Sequence, residues 1–251
     1  MSPVLPLPAA TLLLLRDGGT GLEVLMLERH RDAFFSSAMV FPGGQVDASD
    51  RAPATLARCR AVPGVSDAEL AFRVAAIRES FEEAGILLAR RRGAESLAAA
   101  HDLPAGDFAA LLTGGEIELA TDRLVPFAHW VTPERSPKRY DTRFFLARAP
   151  EGQTAAADGR EAVEILWLSP QAALAEAEAG RRRLIFATRL NLMRLGASRD
   201  VASALAAAAA LPATAPICPE IYDTPSGPRI RIPEGLGYDI CDFATRDPRH
   251  G

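Results

Sequence analysis

Residues 74–85 are the stretch that decides the fold, and they read Val74-Ala75-Ala76-Ile77-Arg78-Glu79-Ser80-Phe81-Glu82-Glu83-Ala84-Gly85. In an α-helix, at about 100° per residue, Glu79 and Glu83 lie one turn apart and Glu82 lies beside them. The apolar residues Val74, Ile77 and Phe81 project toward a different face. The stretch therefore predicts a helix, ended by a glycine, with three carboxylates along one edge.

This carboxylate edge needs positive charge nearby. Like charges at i and i+4 destabilise a helix by roughly 0.2–0.5 kcal/mol, and Arg78 is placed to reach Glu82. A bound cation would compensate further, because carboxylate oxygens are the ligands that Mg²⁺ and Mn²⁺ prefer. Taken alone, this spacing of glutamates more often belongs to the solvated face of an amphipathic helix. Other segments of the chain are therefore needed to distinguish a metal site from a solvated face.

A glycine-bearing loop upstream favours the functional interpretation. The short apolar run Ala38–Phe41 stops at Pro42-Gly43-Gly44, which predicts a strand ending in a tight loop, and Asp50 follows after five residues. Loop and helix together resemble the Nudix box, whose pattern is G-x5-E-x7-R-E-U-x-E-E-x-G-U with U apolar.

The chain departs from that pattern in two ways. Between Asp50 and Arg78 there are 27 residues where the pattern has 7, so 20 are inserted and the first glutamate becomes Asp50 or Glu69. Ser80 stands where the pattern has an apolar residue, a change that removes no metal ligand.

Other segments narrow the resemblance to one branch of the family. The segments that carry it are Leu27–His30 with Val40–Gly44, Trp130–Pro133 and Lys138–Leu146, together with the long insertion. They are similar to the peroxisomal Nudix coenzyme A diphosphatases of animals and their bacterial relatives. The resemblance covers about residues 8–195.

The order of the elements predicts an α/β protein with a mixed sheet. Two hairpins are expected, Ala10–Leu15 with Leu22–Glu28 and Val125–Val131 with Tyr140–Arg148. Between them a long helix with Asp67 as its N-cap is expected to run to about Glu83. Hairpins mixed with helices favour a mixed sheet flanked by helices over an all-parallel fold. The resemblance likewise implies an α/β/α sandwich.

The domain prediction is a core at residues 8–195 with helical insertions and a C-terminal extension. The insertions fall at about 51–70 and 90–124, the second being expected as short helices rather than sheet. Residues 196–251 are expected to be helical at first and then Pro-rich, with one clean strand pattern at Arg229–Ile232.

The resemblance also implies roles for individual residues. Glu79, Glu82 and Glu83 would hold Mg²⁺ or Mn²⁺ with the Gly43 carbonyl as a further ligand, and Glu79 is alternatively the base. Arg78 would orient the glutamates through charge-assisted hydrogen bonds. Family members often add an acid from a later loop, for which Glu161 is the best match and Glu164 the next.

Basic side chains near the strands are candidates for phosphate contacts. Arg29, Lys138, Arg139 and Arg143 could bind phosphates of the substrate, such as the 3′-phosphate of coenzyme A. Ordinary solvated cations are an equally good interpretation. His129 is expected to be a satisfied strand residue rather than a catalytic base.

Composition limits the classes of partner and compartment. The formal net charge of −4 gives no reason to expect a nucleic-acid binder, and no apolar run approaches the ~20 residues of a membrane span. The three cysteines form no C-x-x-C pair, and no basic segment precedes the first apolar run, so a cytoplasmic protein is expected. The family commonly dimerises, which allows a homodimer.

The expected activity is a divalent-metal-dependent pyrophosphohydrolase acting on a small nucleoside diphosphate derivative. Coenzyme A or an acyl-coenzyme A is the leading substrate. ADP-ribose, nucleotide sugars and dinucleotides are the alternatives, because the box motif is expected to bind the diphosphate and not the groups attached to it. A non-catalytic Nudix-fold nucleotide-binding or regulatory module is the alternative from a different class.

Overall fold

The computed structural model describes residues 4–29, 38–103, 106–134, 136–157, 162–211, 215–239 and 241–244. For Arg29 and Ala162 it describes the backbone alone. The strands of these parts are β1 (Leu7–Gly18), β2 (Gly21–Arg29), β3 (Ala38–Val40), β4 (Gly43–Gln45), β5 (Ala89–Arg91), β6 (Ile117–Leu119), β7 (Val125–Val131), β8 (Tyr140–Arg148), β9 (Ala162–Leu168), β10 (Arg183–Leu184), β11 (Glu220–Thr224), β12 (Gly227–Arg231) and β13 (Asp242–Ala244).

Six α-helices lie within the same ranges: α1 (Pro53–Leu56), α2 (Asp67–Ala84), α3 (Phe108–Thr113), α4 (Pro170–Glu178), α5 (Phe186–Leu195) and α6 (Val201–Ala209). Short 3₁₀ turns occupy Ser49–Arg51, Ala100–Asp102 and Thr121–Arg123. In the described part of the chain, no helix is long and apolar enough to cross a bilayer.

The main sheet is mixed, as expected from the sequence. Its strand order is β10-β3-β2-β1-β8-β7, with β4 paired to β1 and β9 paired to β2. The β1–β8 and β10–β3 pairs are parallel, while the pairs of β2 with β1, β3 and β9 are antiparallel. Both predicted hairpins, β1–β2 and β7–β8, are present.

Strand β1 is buried on both faces of the sheet and shows why the molecule has three layers. Leu12 and Leu14 pack into a core with α2, whereas Leu13 and Leu15 pack into a second core with α5 and α6. Alternate residues of a strand point to opposite faces, so the continuous leucine run requires cover on both sides. The predicted α/β/α sandwich is confirmed.

The segment 90–124 corrects one expectation. It was expected to hold short helices rather than sheet, but β5 and β6 pair antiparallel and Cys59 forms a bridge with Leu119. Three-residue strands are too short to show alternation, and they pair here because Leu88, Ala89 and Leu119 are fully buried.

The C-terminal residues form more sheet than expected and complete one core. Where one strand was expected, β11, β12 and β13 form a three-stranded antiparallel sheet. Ile217, Ile232 and Tyr238 are buried in the core that also contains α5 and α6. The C-terminal residues therefore pack as part of the sandwich.

Candidate active site

The two glycines of β4 bring the backbone against both β1 and the long helix. A Cβ on Gly43 would lie 2.6 Å from the Ala10 carbonyl oxygen, and a Cβ on Gly44 would lie 2.4 Å from Glu79 Oε1. At Gly43 the neighbours include backbone atoms, so a side chain has no room there. At Gly44 the neighbour is the end of the Glu79 side chain, so a side chain at this position would displace that carboxylate from the loop.

Helix α2 places its three glutamates near this loop, and their side chains differ in solvent exposure. The Glu83 side chain is buried and its Oε2 accepts a hydrogen bond of 2.8 Å from the Gly43 N–H. The Glu79 carboxylate is 14% exposed and that of Glu82 is 47% exposed. The expected edge thus lies beside the glycines, with Glu82 reaching furthest into solvent.

Arg78 holds the acidic groups together. Its Nη1 donates to Glu79 Oε1 and to Glu82 Oε2, both at 2.8 Å, and its Nη2 donates to the Gln45 carbonyl at 2.9 Å. Burial alone would lower the pKa of Arg78, but the hydrogen bond with Asp50 and the charges of Glu79, Asp50 and Glu82 raise it overall. Arg78 is therefore a permanent cation that is hydrogen-bonded to both Glu79 and Glu82.

Asp50 completes this arrangement from the other side. Its carboxylate is fully buried and accepts from Arg78 Nε at 2.9 Å and Nη2 at 3.0 Å, a bidentate pair. Glu69, the other candidate for this position, lies on the first turn of α2 with Oε1 4.0 Å from Arg143 Nε. The structure thus places Asp50 in the position of the first glutamate of the pattern.

The donor set fits a hard divalent cation that is completed by substrate. Among the described residues, no three His, Cys, Asp or Glu side chains converge as a preassembled metal cage. Mg²⁺ is usually bound through one or two carboxylates, waters and substrate phosphates, so it needs no such cage. Glu79 and Glu82, clustered around one guanidinium, and Glu83 at the Gly43 amide provide suitable oxygen ligands.

A cavity of about 640 Å³ opens over these residues. Its charged part is lined by Asp47, Arg78, Glu79 and Glu82, together with the two glycines of β4. Its apolar part is lined by Trp130, Phe144, Ile185, Phe186, Pro219 and Ile230. A polar mouth joined to an apolar recess is the usual form of a small-molecule site.

The two neighbouring cations expected at the substrate have different positions. Lys138 lines the cavity, with its Nζ 5.1 Å from the centre of the Tyr140 ring. Arg139 is buried and donates to the carbonyls of Thr132 at 3.0 Å and Val4 at 2.9 Å, which ties the N-terminal segment to the β7–β8 connection. The structure therefore keeps Lys138 as a candidate and gives Arg139 a structural position away from the cavity lining.

The buried His129 and the partly exposed Arg143 form a separate cluster. His129 Nε2 lies 2.5 Å from Asp141 Oδ1, and Arg143 contacts His129 Nδ1. Burial and the charge of Arg143 lower the pKa of His129 against the opposing effect of Asp141. His129 is thus a neutral, satisfied strand residue, and neither His129 nor Arg143 lines the cavity.

Of the three remaining candidate residues, the structure gives a side-chain position for Glu164. Glu161 lies outside the described residues, and for Arg29 the structure describes no side chain. Glu164 pairs across the sheet with Glu28, and both carboxylates contact Arg182. Glu164 is therefore engaged in a surface ion-pair cluster.

The apolar wall of the cavity was missed by sequence reasoning. Trp130 belongs to a recognised strand, but Phe186, Pro219 and Ile230 come from later segments that carry no motif. Only the packing of the C-terminal residues against β7 brings them to the cavity.

The chain matches a known family and known structures. Residues 54–185 match the model of the NUDT19 Nudix domain. The acyl-coenzyme A diphosphatase NUDT19 of Gallus gallus is 33% identical, with 62% of this chain and 56% of that protein covered. The protein of the same name from Homo sapiens is 29% identical, with 61% and 55% covered. This chain spans a little over half the length of these relatives.

A crystal structure shows the same fold. A NUDIX hydrolase from Alicyclobacillus acidocaldarius superposes with a TM-score of 0.72 at 28% identity, covering 83% of this chain and 99% of that chain. The family match covers more than half of the residues, and the structural match covers most of them. This chain belongs to the NUDT19 Nudix domain family of Nudix hydrolases.

Proposed function

We propose that this protein is a divalent-metal-dependent pyrophosphohydrolase that cleaves the diphosphate of coenzyme A or an acyl-coenzyme A. The observation that carries the proposal is the contact between the β4 glycines and α2. Gly44 has no side chain where the Glu79 carboxylate lies, and the Gly43 N–H holds Glu83. Glu79 and Glu82 line a cavity of about 640 Å³, and Glu83 contacts the glycine loop, which supports binding of a nucleotide derivative here.

The charges explain why this site suits a diphosphate. The diphosphate oxygens repel an incoming nucleophile, and an acidic cavity would add to that repulsion. When bound to Glu79, Glu82, Glu83 and the Gly43 carbonyl, Mg²⁺ or Mn²⁺ would neutralise those oxygens and lower the pKa of the attacking water. Arg78 keeps Glu79 and Glu82 oriented, and Glu79 is the candidate to accept a proton from water.

In the proposed reaction, water adds to one phosphorus and the bond to the bridging oxygen breaks. With coenzyme A the products are adenosine 3′,5′-bisphosphate and phosphopantetheine. Lys138 lines the cavity and is the cation that we propose contacts a substrate phosphate. Arg78 is committed to Asp50 and the glutamates.

The relatives and the cavity together support the choice of substrate. The matched proteins from Gallus gallus and Homo sapiens carry the name acyl-coenzyme A diphosphatase. The recess lined by Trp130, Phe186 and Ile230 suits an apolar substituent. ADP-ribose, a nucleotide sugar or a dinucleotide would present hydroxyls or a second base to that recess.

A substrate panel tests this proposal. The purified chain is incubated with Mg²⁺ or Mn²⁺ and coenzyme A, acyl-coenzyme A, ADP-ribose or a nucleotide sugar, and the products are separated. We expect the coenzyme A compounds to be cleaved fastest, and reaction in H₂¹⁸O to label one product phosphate. Cleavage of a nucleotide sugar with coenzyme A left intact would refute the substrate class.

The proposal includes a cellular compartment and an oligomeric state for the enzyme. A reducing compartment such as the cytoplasm suits its three free thiols, and burial raises the pKa of Cys59 to about 12. The resemblance to dimeric family members supports a homodimer. Size-exclusion chromatography with light scattering would measure the oligomeric state directly.

A further inference from the structure

The C-terminal residues reach the proposed active site through the edge of the main sheet. The Ile217 N–H donates to the His129 carbonyl and the Val131 N–H donates to the Ile217 carbonyl, both at 2.8 Å. Ile217 is thereby fixed alongside Trp130 on the edge strand β7. Two residues later, Pro219 lines the cavity, and Ile230 on β12 lines it as well. We call residues 217–232 the tail wall.

Other C-terminal residues hold the aromatic part of the same recess in place. The Trp130 and Phe186 rings meet edge to face at 6.0 Å, Tyr238 contacts Trp130 at 5.6 Å, and Phe243 contacts Phe186 at 5.2 Å. Asn191 Oδ1 accepts from both the Trp130 indole at 3.2 Å and the Tyr238 hydroxyl at 2.8 Å. The recess therefore has a fixed shape before substrate arrives.

The chemistry of the recess distinguishes between parts of a substrate. Trp130 is only 5% exposed, and both recess rings are engaged edge to face, which disfavours stacking of a purine. Of the described cavity-lining residues, the cations are Arg78 and Lys138, neither of which belongs to the tail wall. The tail-wall arginines are turned to other partners, with Arg229 paired to Asp242 and Arg231 to Glu220.

We infer that the two cavity-lining residues of the tail wall, Pro219 and Ile230, bind the acyl group at the end of the pantetheine arm, and so select for acylated substrates. Ile230 is 1% exposed, is the buried residue of β12 and lines the cavity, so it is the specificity-determining residue to test. This inference rests on the proposed function for its substrate class. Its binding step, however, needs no diphosphate and no hydrolysis.

The binding test uses S-hexanoyl pantetheine, which carries the acyl group on the pantetheine chain and lacks the diphosphate. The chain has two tryptophans, so a Trp167→Phe background leaves Trp130 as the fluorescent reporter at the recess. We expect a saturable change in Trp130 emission and an affinity about tenfold weaker in Ile230→Ala, because removing methylene contacts in an apolar pocket costs at least that much. Ile230→Val is expected to weaken binding less.

Arg231→Ala is the matched control, since Arg231 is the next residue of β12 and is exposed on the opposite face of the strand. Its affinity should equal that of the parent. Circular dichroism and thermal unfolding establish whether each variant is folded. If Ile230→Ala does not fold, the comparison is made with Ile230→Val. No saturable signal in the parent, or equal affinities in folded parent and Ile230 variants, would overturn the inference.

A kinetic measurement separates this inference from the proposed function. The ratio of kcat/KM for hexanoyl-coenzyme A to that for ADP-ribose should fall about tenfold in Ile230→Ala, with ADP-ribose turnover nearly unchanged. An unchanged ratio refutes the tail wall while leaving the hydrolase intact. If the parent hydrolyses no compound with Mg²⁺ or Mn²⁺, the proposed function fails and the pantetheine binding result alone decides the inference.

Discussion

Gly44 is the residue whose replacement most directly tests the packing of the site. In Gly44→Ala the new Cβ would lie 2.4 Å from Glu79 Oε1 and displace that carboxylate. A displacement of about 1 Å at a catalytic group lowers the rate on the order of 100-fold, so turnover should fall by about that factor. Steady-state kinetics measure it.

Gly19→Ala is the matched control, because a Cβ at Gly19 meets nothing within 4 Å. It should leave turnover unchanged. Wild-type turnover in Gly44→Ala would show that the Glu79 position is not critical.

Asp50 is a second residue with a measurable role, through its buried pair with Arg78. Asp50→Asn keeps the shape but removes the charge that faces the guanidinium at 2.9 and 3.0 Å. Breaking a buried ion pair by removing one partner costs about 3 kcal/mol, which for a chain of this size lowers Tm by on the order of 10 °C.

Thermal unfolding of Asp50→Asn is compared with that of Asp47→Asn. The Asp47 side chain is 62% exposed and lies 3.8 Å from Arg78, so its replacement should change Tm by little. Equal Tm values for the two variants would contradict the stabilising role of Asp50.

Single residues also mark where prediction from sequence ends. Lys138 and Arg139 are adjacent and both positively charged, yet one lines the cavity and the other is buried against backbone carbonyls. Neighbouring residues in an extended segment point in opposite directions, and only the path of the N-terminal segment decides which one is enclosed. The choice between Asp50 and Glu69 likewise depends on how the inserted residues fold back.

At the scale of elements, α2 was predictable because several independent signals agree. Its apolar period, its acidic first turn and its terminal glycine all indicate one helix. The expected N-cap was Asp67, but Ser66 is the residue whose side chain accepts from the Glu69 N–H. Both residues are good caps, and the one-residue difference reflects competition between them.

The C-terminal sheet was largely missed for a physical reason. Strands β11 and β13 are short and contain no buried residue, so they show little apolar alternation. They form because β12 pairs with both and buries Ile230. Pairing between segments of low propensity is a tertiary effect that a single sequence does not display.

Gly85 gives the prediction that belongs to the helix as an element. It ends α2 with φ of +69°, a conformation that costs other residues about 1–2 kcal/mol. Gly85→Ala should therefore lower the free energy of unfolding by about that amount and leave turnover per folded molecule unchanged. Denaturant unfolding and active-site-normalised kinetics measure the two effects.

Gly114→Ala is the control for this change, because Gly114 also follows a helix but has φ of −62° and open space around it. Its stability should be equal or slightly higher. A similar loss in both variants would show that backbone conformation is not the cause.

At the scale of the whole molecule, buried His129 makes stability depend on pH. Burial and Arg143 lower the pKa of His129 below the ordinary value of 6.5. The unfolded chain therefore binds this proton more readily than the folded chain, so stability is lost as pH falls below about 6.5, with a slope of at most about 1.4 kcal/mol per pH unit from this group.

Urea unfolding between pH 7.5 and 5 measures this dependence. His129→Gln should reduce the slope, whereas His101→Gln should not, because the His101 side chain is 82% exposed. A slope that is unaffected by His129→Gln would assign the acid sensitivity to other groups.

The central claim is that the carboxylates of α2 hold the divalent cation that makes the diphosphate cleavable, and metal-dependent turnover of single variants tests it most directly. Hydrolysis of coenzyme A is measured against Mg²⁺ and Mn²⁺ concentration for the parent, Glu82→Gln, Glu83→Gln and the exposed control Glu178→Gln. We predict that Glu82→Gln and Glu83→Gln each lose at least about 100-fold in rate while remaining folded, since a ligand to the catalytic metal contributes several kcal/mol. Glu178→Gln should behave as the parent, and near-normal turnover in either α2 variant would contradict the account.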